Sequence, residues 1–255
     1  MLRAPEELRE LVEGYFDELV FTPELGTLVE SVRHALGGKR VRPVLALAAA
    51  EAVGGDVEMV LPAAAAVELV HSFSLVHDDL PALDDDEERR GHPSTWKRYG
   101  EAVGILAGDA LLAEAFRLAL SYPTTAIGRE VAQATLGMIG GQYLDITATA
   151  SDLPSLHRLK TGCLFAASVG LGLWVAEVPE REQRPWRAFG DELGLLFQVV
   201  DDILDEDGYV LEHGAAGARR LADEAAERAR AALADVDADT SVLEGIVDEL
   251  AVRTS

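Results

Sequence analysis

The sequence predicts an all-helical protein, and three observations support this fold class. The 255 residues are 49% hydrophobic, which is enough for a large buried core. Alanine is abundant, aromatic residues make up only 6%, and no alternating β-branched stretch is bounded by a hairpin turn pair such as Asn-Gly. The prolines fall mostly where the apolar periodicity restarts, as expected for first turns and connections. These features favour helices joined by short loops.

The apolar periodicity divides the chain into about ten predicted helices. They are residues 6–20, 24–36, 42–53, 57–80, 95–120, 124–149, 153–176, 181–205, 215–235 and 240–252. Most begin beside a proline, whereas the alanine-rich, charged segment 215–235 is typical of a solvated amphipathic helix. Segments 57–80, 124–149 and 181–205 are apolar around most of their circumference, which predicts an interior position. Because no linker or internal repeat interrupts the pattern, we expect one domain over residues 1–255.

The charge excludes several classes of partner. Acidic residues number 45 against 22 basic ones, a formal charge of −23, so the chain should repel nucleic acid and anionic lipid. The single cysteine, Cys163, cannot form an internal disulfide, and the first residues are too charged for a signal peptide. The longest uncharged run, residues 161–176, is shorter than the roughly 20 residues of a membrane span. A cytoplasmic protein without a membrane span is therefore predicted.

Two aspartate clusters each follow a mostly apolar predicted helix. The first lies in HSFSLVHDDLPALDDDEERRG and the second in FQVVDDILDEDG. Their members are Asp78, Asp79, Asp84, Asp85 and Asp86 in the first, and Asp201, Asp202, Asp205 and Asp207 in the second. The C-terminal end of a helix disfavours negative charge, so both clusters need a counter-ion. A solvated helix end is the alternative for either cluster alone, but two such clusters together favour a functional site.

The spacing within the clusters indicates a hard divalent cation. Asp201 and Asp205 are four residues apart and share a helical face with Gln198. Oxygen ligands without Cys or His point to Mg²⁺ or Mn²⁺, completed by water and substrate phosphates. In the first cluster, Pro81 should end or kink the helix, so that Asp84 folds back toward Asp78.

The few lysines favour an anionic substrate. Of the 22 basic residues, only Lys39, Lys97 and Lys160 are lysines, and the others are arginines. Lys39 lies in GGKRVRP, which is typical either of an anion-binding nest or of a simple helix start. Lys160, followed by Thr161, lies in an otherwise apolar stretch where an unpaired ammonium would be costly. Together with Arg89 and Arg90, these residues suggest a diphosphate held between metals and bases, with a hydrocarbon tail in an interior of Ala, Leu and Val.

The motifs GGKRVRP, HSFSLVHDDLPALDDDEERRG, GGQYLD, KTG and FQVVDDILD occur in this order over roughly residues 35–207. In this respect the chain resembles the trans-isoprenyl diphosphate synthases of the farnesyl and geranylgeranyl diphosphate synthase type. The resemblance implies a helical bundle around a central cavity, a homodimer, and three Mg²⁺ ions per active site. It also implies head-to-tail condensation of isopentenyl diphosphate with an allylic diphosphate.

The resemblance also implies a role for each residue that matches the motifs. The implied metal ligands are Asp78, Asp79, Asp84, Asp201, Asp202 and Asp205. The implied isopentenyl diphosphate site contains Lys39, Arg42, His71 and Arg90. Arg89 and Lys160 are implied to bind the allylic diphosphate, and Thr161 and Gln198 to face the allylic cation. A lone histidine such as His71 is more often a packed core residue, but the motif favours binding, whereas His77 and Cys163 are expected to be structural.

The position of Phe73 predicts the product. It lies five residues before Asp78, or about 7 Å further down a helix. In the resembled family an aromatic residue here forms the floor of the cavity, so Phe73 and its neighbour Ser74 are expected to stop growth at farnesyl diphosphate. A geranylgeranyl or geranyl diphosphate synthase is the alternative.

The chain departs from the resembled family after Asp205. The segment EDGYVLEHGAAGARR contains no lysine, whereas the family usually has a longer loop whose lysine contacts the allylic diphosphate. The domain therefore has a shortened region after residue 207. Slower turnover, another way of closing the site, or help from a second subunit would follow, so a non-catalytic regulatory subunit of a heteromeric prenyl synthase is a further alternative.

Overall fold

The structure, a computed structural model, describes residues 2–149 and 152–253, and these residues form helices and one short hairpin. The α-helices are α1 Pro5–Glu18, α2 Val29–Ala35, α3 Val41–Ala52, α4 Val57–Asp78, α5 Thr95–Tyr99, α6 Glu101–Ala119, α7 Thr125–Thr147, α8 Leu153–His157, α9 Cys163–Val175, α10 Arg184–Asp205, α11 Tyr209–Ala234 and α12 Ser241–Val252. Short 3₁₀ turns cover Pro23–Leu28 and Glu180–Glu182, and a π-helical turn covers Arg158–Gly162. The predicted all-helical fold is confirmed.

Helices α3, α4 and α9 form the centre of the bundle. Helix α9 packs against α3, α4, α7 and α10, and nearly all of its side chains are buried. Gly172 permits the close approach of α9 to α3, because a Cβ at this position would lie 2.1 Å from the Ala46 carbonyl oxygen. The apolar stretch around this position therefore serves helix packing in the core.

One predicted core helix is only partly interior. Helix α7 exposes four large apolar side chains, so the interior position predicted for 124–149 is wrong for one of its faces. These side chains are Leu136, Ile139, Tyr143 and Ile146. Helix α6 likewise exposes Ile105 and Leu106. The uniform apolarity of α7 thus reflects one face packed in the bundle and a second, exposed face, part of which lines a cavity through Ile139, Tyr143 and Ile146.

Helix α4 has the length and composition of a membrane span. An 18-residue window of this 22-residue helix has a mean hydropathy of 1.7, but 72% of that window is buried inside the bundle. Helix α4 also ends at Asp78. Burial among other helices is the property of a core helix, and by itself the apolar composition is weak support for a membrane position.

Several local features differ from the predicted boundaries. The helix predicted over 24–36 is divided into the 3₁₀ turn Pro23–Leu28 and helix α2. Gly100, with φ of 92°, separates α5 from α6, where one helix was predicted over 95–120. Helix α11 begins at Tyr209, six residues before the predicted start, and bends at Gly214. Strands β1 Glu88–Arg89 and β2 His92–Pro93 form a two-residue hairpin that was not predicted. Its turn residues, Arg90 and Gly91, both have positive φ, as type I′ turns require.

The net charge of −23 makes a testable prediction for stability. Repulsion among the exposed carboxylates should destabilise the compact state at low salt, and 1 M KCl shortens the screening length to about 3 Å. We expect Tm to rise by about 2–8 °C between 0.05 and 1 M KCl, measured by circular dichroism. Choline chloride should give a similar rise, because the effect is one of ionic strength. A Tm that is constant or falls over this range would contradict the prediction.

Candidate active site

The first aspartate cluster is folded back at the end of α4. The helix ends at Asp78, and the backbone N–H of Asp84 donates to the carbonyl of Asp78 at 2.9 Å. The N–H of Asp85 donates to the carbonyl of Leu80 at 3.1 Å. The predicted return of Asp84 toward Asp78 is therefore present, and Pro81 lies in the turn that produces it.

The electrostatics of Asp78 indicate a site for a cation. Burial raises the pKa of Asp78 to about 6, against the opposing charge of Lys160, and the neighbouring carboxylates of Asp84 and Asp79 raise it further. The pKa of Asp201 is raised in the same way, first by desolvation and then by Asp205. Both clusters therefore hold carboxylates whose charge is only partly compensated by the protein.

Arginines of the hairpin contact both the first cluster and the glycine loop. Arg89 donates from Nε to Asp79 Oδ1 at 2.9 Å and from Nη2 to Asp86 Oδ2 at 3.0 Å. Arg90 donates to the carbonyl of Gly37. A Cβ on Gly38 would lie 2.8 Å from the Arg90 guanidinium. The glycines of GGKRVRP therefore admit Arg90 to the site. The bonds from Arg89 to Asp79 and Asp86 use its Nε and Nη2 and leave the Nη1 donors for a substrate.

Arg42 and His71 form the buried basic part of the site. Arg42 is 8% exposed, its guanidinium lies 4.7 Å from the centre of the Phe165 ring, and its Nε has no hydrogen-bond partner among the described residues. Desolvation lowers the pKa of Arg42, and the charges of Glu68 and, more weakly, Asp201 oppose this shift. Desolvation, and then the charge of Arg42, hold the pKa of His71 well below its ordinary value. His71 is therefore a neutral hydrogen-bonding group at neutral pH.

Lys160 lies in a π-helical turn and pairs with Asp145. The predicted continuous helix 153–176 is interrupted by the π-helical turn Arg158–Gly162, and such turns are frequent at functional sites. The Lys160 ammonium forms an ion pair with Asp145 of α7. The anion that the sequence requires near Lys160 is thus partly supplied by the protein, by the aspartate of GGQYLD.

Gly141 determines how closely α7 approaches this turn. A Cβ on Gly141 would lie 2.4 Å from the backbone nitrogen of Lys160, whereas a Cβ on Gly140 would contact nothing within 4 Å. Gly141→Ala should therefore displace Lys160 and lower the kcat/KM of the reaction at this site by about 10- to 100-fold.

Gly140→Ala is the matched control for this prediction. Because alanine is the better helix former, this variant should keep full activity and gain up to about 1 kcal/mol of stability. Equal activity losses in the two variants would show that the close contact at Gly141 is unimportant.

A chain of hydrogen bonds joins Thr161, Gln198 and Asp202. The hydroxyl of Thr161 donates to Gln198 Oε1 at 2.9 Å, and Gln198 Nε2 donates to Asp202 Oδ1 at 2.7 Å. The two dipoles predicted to face an allylic cation are therefore adjacent. Asp202 is buried, whereas Asp201 and Asp205 are exposed.

A cavity of about 370 Å³ joins Thr161 to other polar side chains and to an apolar wall. Its polar lining includes Arg42, His71, Asp78, Lys160 and Thr161. Its apolar lining includes Phe73, Met138, Ile139, Ile146 and Leu164. The Phe73 ring is 7% exposed and packs edge-on against His77, with ring centres 5.2 Å apart. The Ser74 hydroxyl donates to the His71 carbonyl at 2.9 Å.

The donor set fits magnesium bound jointly with a substrate. In residues 2–149 and 152–253, no group of three or more His, Cys, Asp or Glu side chains is arranged to hold a metal alone. Magnesium usually binds one or two carboxylates together with phosphates and water. The incompletely compensated carboxylates of Asp78 and Asp201 match that mode of binding.

Sequence reasoning missed two acidic residues of this region. Asp145 pairs with Lys160, and the quoted motif GGQYLD already contained it. Glu68 of α4 forms a buried ion pair with Arg40 at 3.1 Å, next to the glycine loop. The two residues predicted to be structural do make structural contacts. His77 Nε2 donates to the Ile105 carbonyl at 3.1 Å, and the Cys163 thiol donates to the Leu159 carbonyl, while burial raises its pKa to about 11.

Comparisons with known proteins agree with this geometry. The pattern that describes the polyprenyl synthetases matches residues 26–215. A geranylgeranyl diphosphate synthase from Cyanophora paradoxa is 39% identical over 216 residues, which cover 78% of this chain and 72% of that protein. A farnesyl diphosphate synthase from Bacillus subtilis (strain 168) is 39% identical over 209 residues, which cover 74% of this chain and 71% of that protein.

A solved structure extends the likeness to the whole fold. A geranyltransferase from Legionella pneumophila superposes with a TM-score of 0.87 at 30% identity, covering 98% of this chain and 96% of that chain. The chain spans 58% and 57% of two chloroplast relatives that it also matches. The likeness therefore includes both the ordered motifs and the arrangement of the helices.

Proposed function

This chain belongs to the polyprenyl synthetase family and is a prenyltransferase, and we propose that it condenses isopentenyl diphosphate head-to-tail with allylic diphosphates. The observation that carries the proposal is the single cavity lined by Arg42, Asp78 and Lys160 at its polar part and by apolar side chains elsewhere. A diphosphate needs the former, and an isoprenoid chain needs the latter.

The basic residues divide into two binding groups in this proposal. Lys39, Arg42 and Arg90 bind isopentenyl diphosphate, and neutral His71 donates a hydrogen bond to it. Lys160 binds the allylic diphosphate, joined by the Nη1 donors of Arg89, which its bonds to Asp79 and Asp86 do not use. The unpartnered Nε of Arg42 is a buried donor available to an anionic ligand.

Three magnesium ions complete the proposal. Asp78, Asp79 and Asp84 are the ligands proposed for two of them, and Asp201 with Asp205 for the third. When bound, magnesium neutralises the diphosphate and makes it a competent leaving group.

The protein's own residues then protect the allylic cation. Thr161 donates its proton to Gln198, so the lone pairs of its oxygen remain available to a neighbouring positive charge. The apolar lining, which includes Met138, Ile139 and Leu164, excludes water that would quench the cation. The cation is therefore directed to the double bond of isopentenyl diphosphate.

One assay tests the proposal. The purified chain is given Mg²⁺, isopentenyl diphosphate and dimethylallyl diphosphate, and the dephosphorylated products are separated by size. We expect farnesyl diphosphate as the product when Mg²⁺ is present. We expect no product when EDTA is added. Longer or shorter products would favour a geranylgeranyl or geranyl diphosphate synthase. Product that forms only with an added subunit would favour the regulatory role.

Phe73→Ala should lengthen the product. The ring is buried at the cavity wall, and its removal opens space beyond the point where a farnesyl chain would stop. Chromatography should show geranylgeranyl or longer chains as the main product. Phe73→Tyr keeps the ring and should leave the product length unchanged. If Phe73→Ala still gives farnesyl diphosphate, another residue sets the length.

We also propose that the protein is a homodimer. Exposed apolar side chains on α6 and α7, among them Ile105, Leu106 and Leu136, offer a surface for a second copy. Light scattering coupled to size-exclusion chromatography should give twice the mass of one 27.3 kDa chain. A monomer at micromolar concentration would contradict this.

A further inference from the structure

Asp202 differs from the other aspartates of the second cluster in having both carboxylate oxygens occupied by protein donors. Oδ1 accepts from Gln198 Nε2 at 2.7 Å, and Oδ2 accepts from the backbone N–H of Tyr209 at 2.8 Å. The residue is 6% exposed. A buried carboxylate that accepts hydrogen bonds on both oxygens is fixed in position and can orient the groups that donate to it.

The neighbour that Asp202 orients is the amide of Gln198. An amide can be turned over to exchange its oxygen and nitrogen, and the partners decide which orientation is stable. Asp202 accepts only, so it fixes the nitrogen of Gln198 on its own side and leaves Oε1 to accept from Thr161. The hydrogen bonds thus run without interruption from the Tyr209 backbone to the Thr161 hydroxyl.

We propose that Asp202 is a positioning residue and not a metal ligand, and that the start of α11, at Gly208 and Tyr209, holds it in place. The proposal rests on the proposed function, because it assigns Thr161 and Gln198 to the allylic cation. It gives the segment after Asp205, which departs from the pattern of the resembled family, a role in the active site. The first residues of that segment orient the dipoles that face the substrate.

Gly208 is the residue that permits this arrangement. Its φ is +45°, and a Cβ on it would lie 2.0 Å from Asp202 Oδ2. Gly214, within α11, also has positive φ, +69°, but a Cβ there would contact nothing within 4 Å. Alanine at either position carries backbone strain, whereas only alanine at 208 collides with Asp202.

The pair Gly208→Ala and Gly214→Ala therefore tests the proposal. We expect Gly208→Ala to lower kcat by about 10- to 100-fold with little change in KM, and Gly214→Ala to retain kcat. In a Gln198→Ala background, Gly208→Ala should reduce kcat by less than twofold, since the group it positions is already absent. Equal losses in the two glycine variants, or full independence from Gln198, would overturn the proposal.

Metal binding provides a readout separate from activity. Binding of Mn²⁺ in the presence of methylenediphosphonate is followed by electron paramagnetic resonance for the wild type, Asp202→Asn and Asp201→Asn. Asparagine cannot accept from both Gln198 and Tyr209, so Asp202→Asn should lose kcat yet bind Mn²⁺ like the wild type. Asp201→Asn should bind less.

The two kinds of failure are distinguishable. Loss of one bound Mn²⁺ in Asp202→Asn would show that Asp202 is a ligand and overturn the inference alone. If the wild type bound Mn²⁺ with methylenediphosphonate but formed no prenyl product, the proposed function would be overturned. The Mn²⁺ binding of the aspartate variants would still decide whether Asp202 is a metal ligand.

Discussion

Asp78→Asn is expected to lower kcat/KM for prenyl transfer by at least about 10²-fold, the largest loss of activity that we predict for a single substitution. Asn retains the size of the side chain but removes the charge that a divalent cation needs. Because Asp78 lines the cavity together with Lys160, the loss falls at the position where the allylic diphosphate is proposed to bind. The product assay described above measures it directly.

The pKa of Asp78 adds a pH dependence to this prediction. Since burial raises that pKa from 3.8 to about 6, the Asp78 carboxyl of the ligand-free protein is mostly protonated below about pH 6, and there its proton must leave before a metal binds. The Mg²⁺ concentration for half-maximal binding of methylenediphosphonate should rise as pH falls through 6. Asp78→Asn should weaken binding and remove most of this pH dependence, which isothermal titration calorimetry can follow between pH 5 and 8.

The same group predicts the direction of a stability change. The pKa of Asp78 is higher in the folded protein than in the unfolded chain, so the folded protein binds more protons between about pH 4 and 6. Asp78 therefore contributes stability that is fully present below about pH 4. This stability is lost as the pH rises through 6. Asp78→Asn should flatten that part of the pH profile. Asp85→Asn is the control, because Asp85 is exposed and its backbone forms the turn in either variant. If Asp85→Asn lost as much activity as Asp78→Asn, general charge removal would explain both.

The parts of the site that follow local rules could be predicted from the sequence. Pro81 cannot continue a regular helix, so the return of Asp84 toward Asp78 follows from one residue and was confirmed. The position of both aspartate clusters at helix ends followed from apolar periodicity in the same way. The type I′ turn was missed because Arg90 occupies the position where Asn or Asp is the usual signal.

The parts that depend on contacts between distant helices could not be predicted. The π-helical turn at Lys160 faces Gly141, 19 residues earlier in the chain, and periodicity within 153–176 carries no information about that contact. The hydrogen bonds that hold Asp202 likewise depend on Tyr209, whose backbone N–H reaches Asp202 from the first residue of α11. The spacing grouped Gln198 with Asp201 and Asp205, whereas the structure bonds Gln198 to Asp202.

Glu68→Ala is expected to lower the free energy of unfolding by about 3–5 kcal/mol, the largest stability change that we predict. Glu68 and Arg40 are both almost fully buried and are joined at 3.1 Å, so removing the carboxylate leaves a guanidinium without its buried partner. Urea denaturation should show a lower midpoint with an unchanged slope.

Glu13→Ala is a matched control, because Glu13 pairs with the same Arg40 at 3.2 Å but its side chain is 42% exposed. Water can replace that partner, so the cost should stay within about 1 kcal/mol.

Glu68→Ala should also raise KM for isopentenyl diphosphate. Arg40 and Arg90 donate to the same carbonyl of Gly37, so a displaced Arg40 would disturb the loop that holds Lys39. If Glu68→Ala and Glu13→Ala destabilised the protein equally, burial would not decide the strength of these ion pairs. If KM were unchanged in Glu68→Ala, the Glu68–Arg40 pair would not support the substrate site.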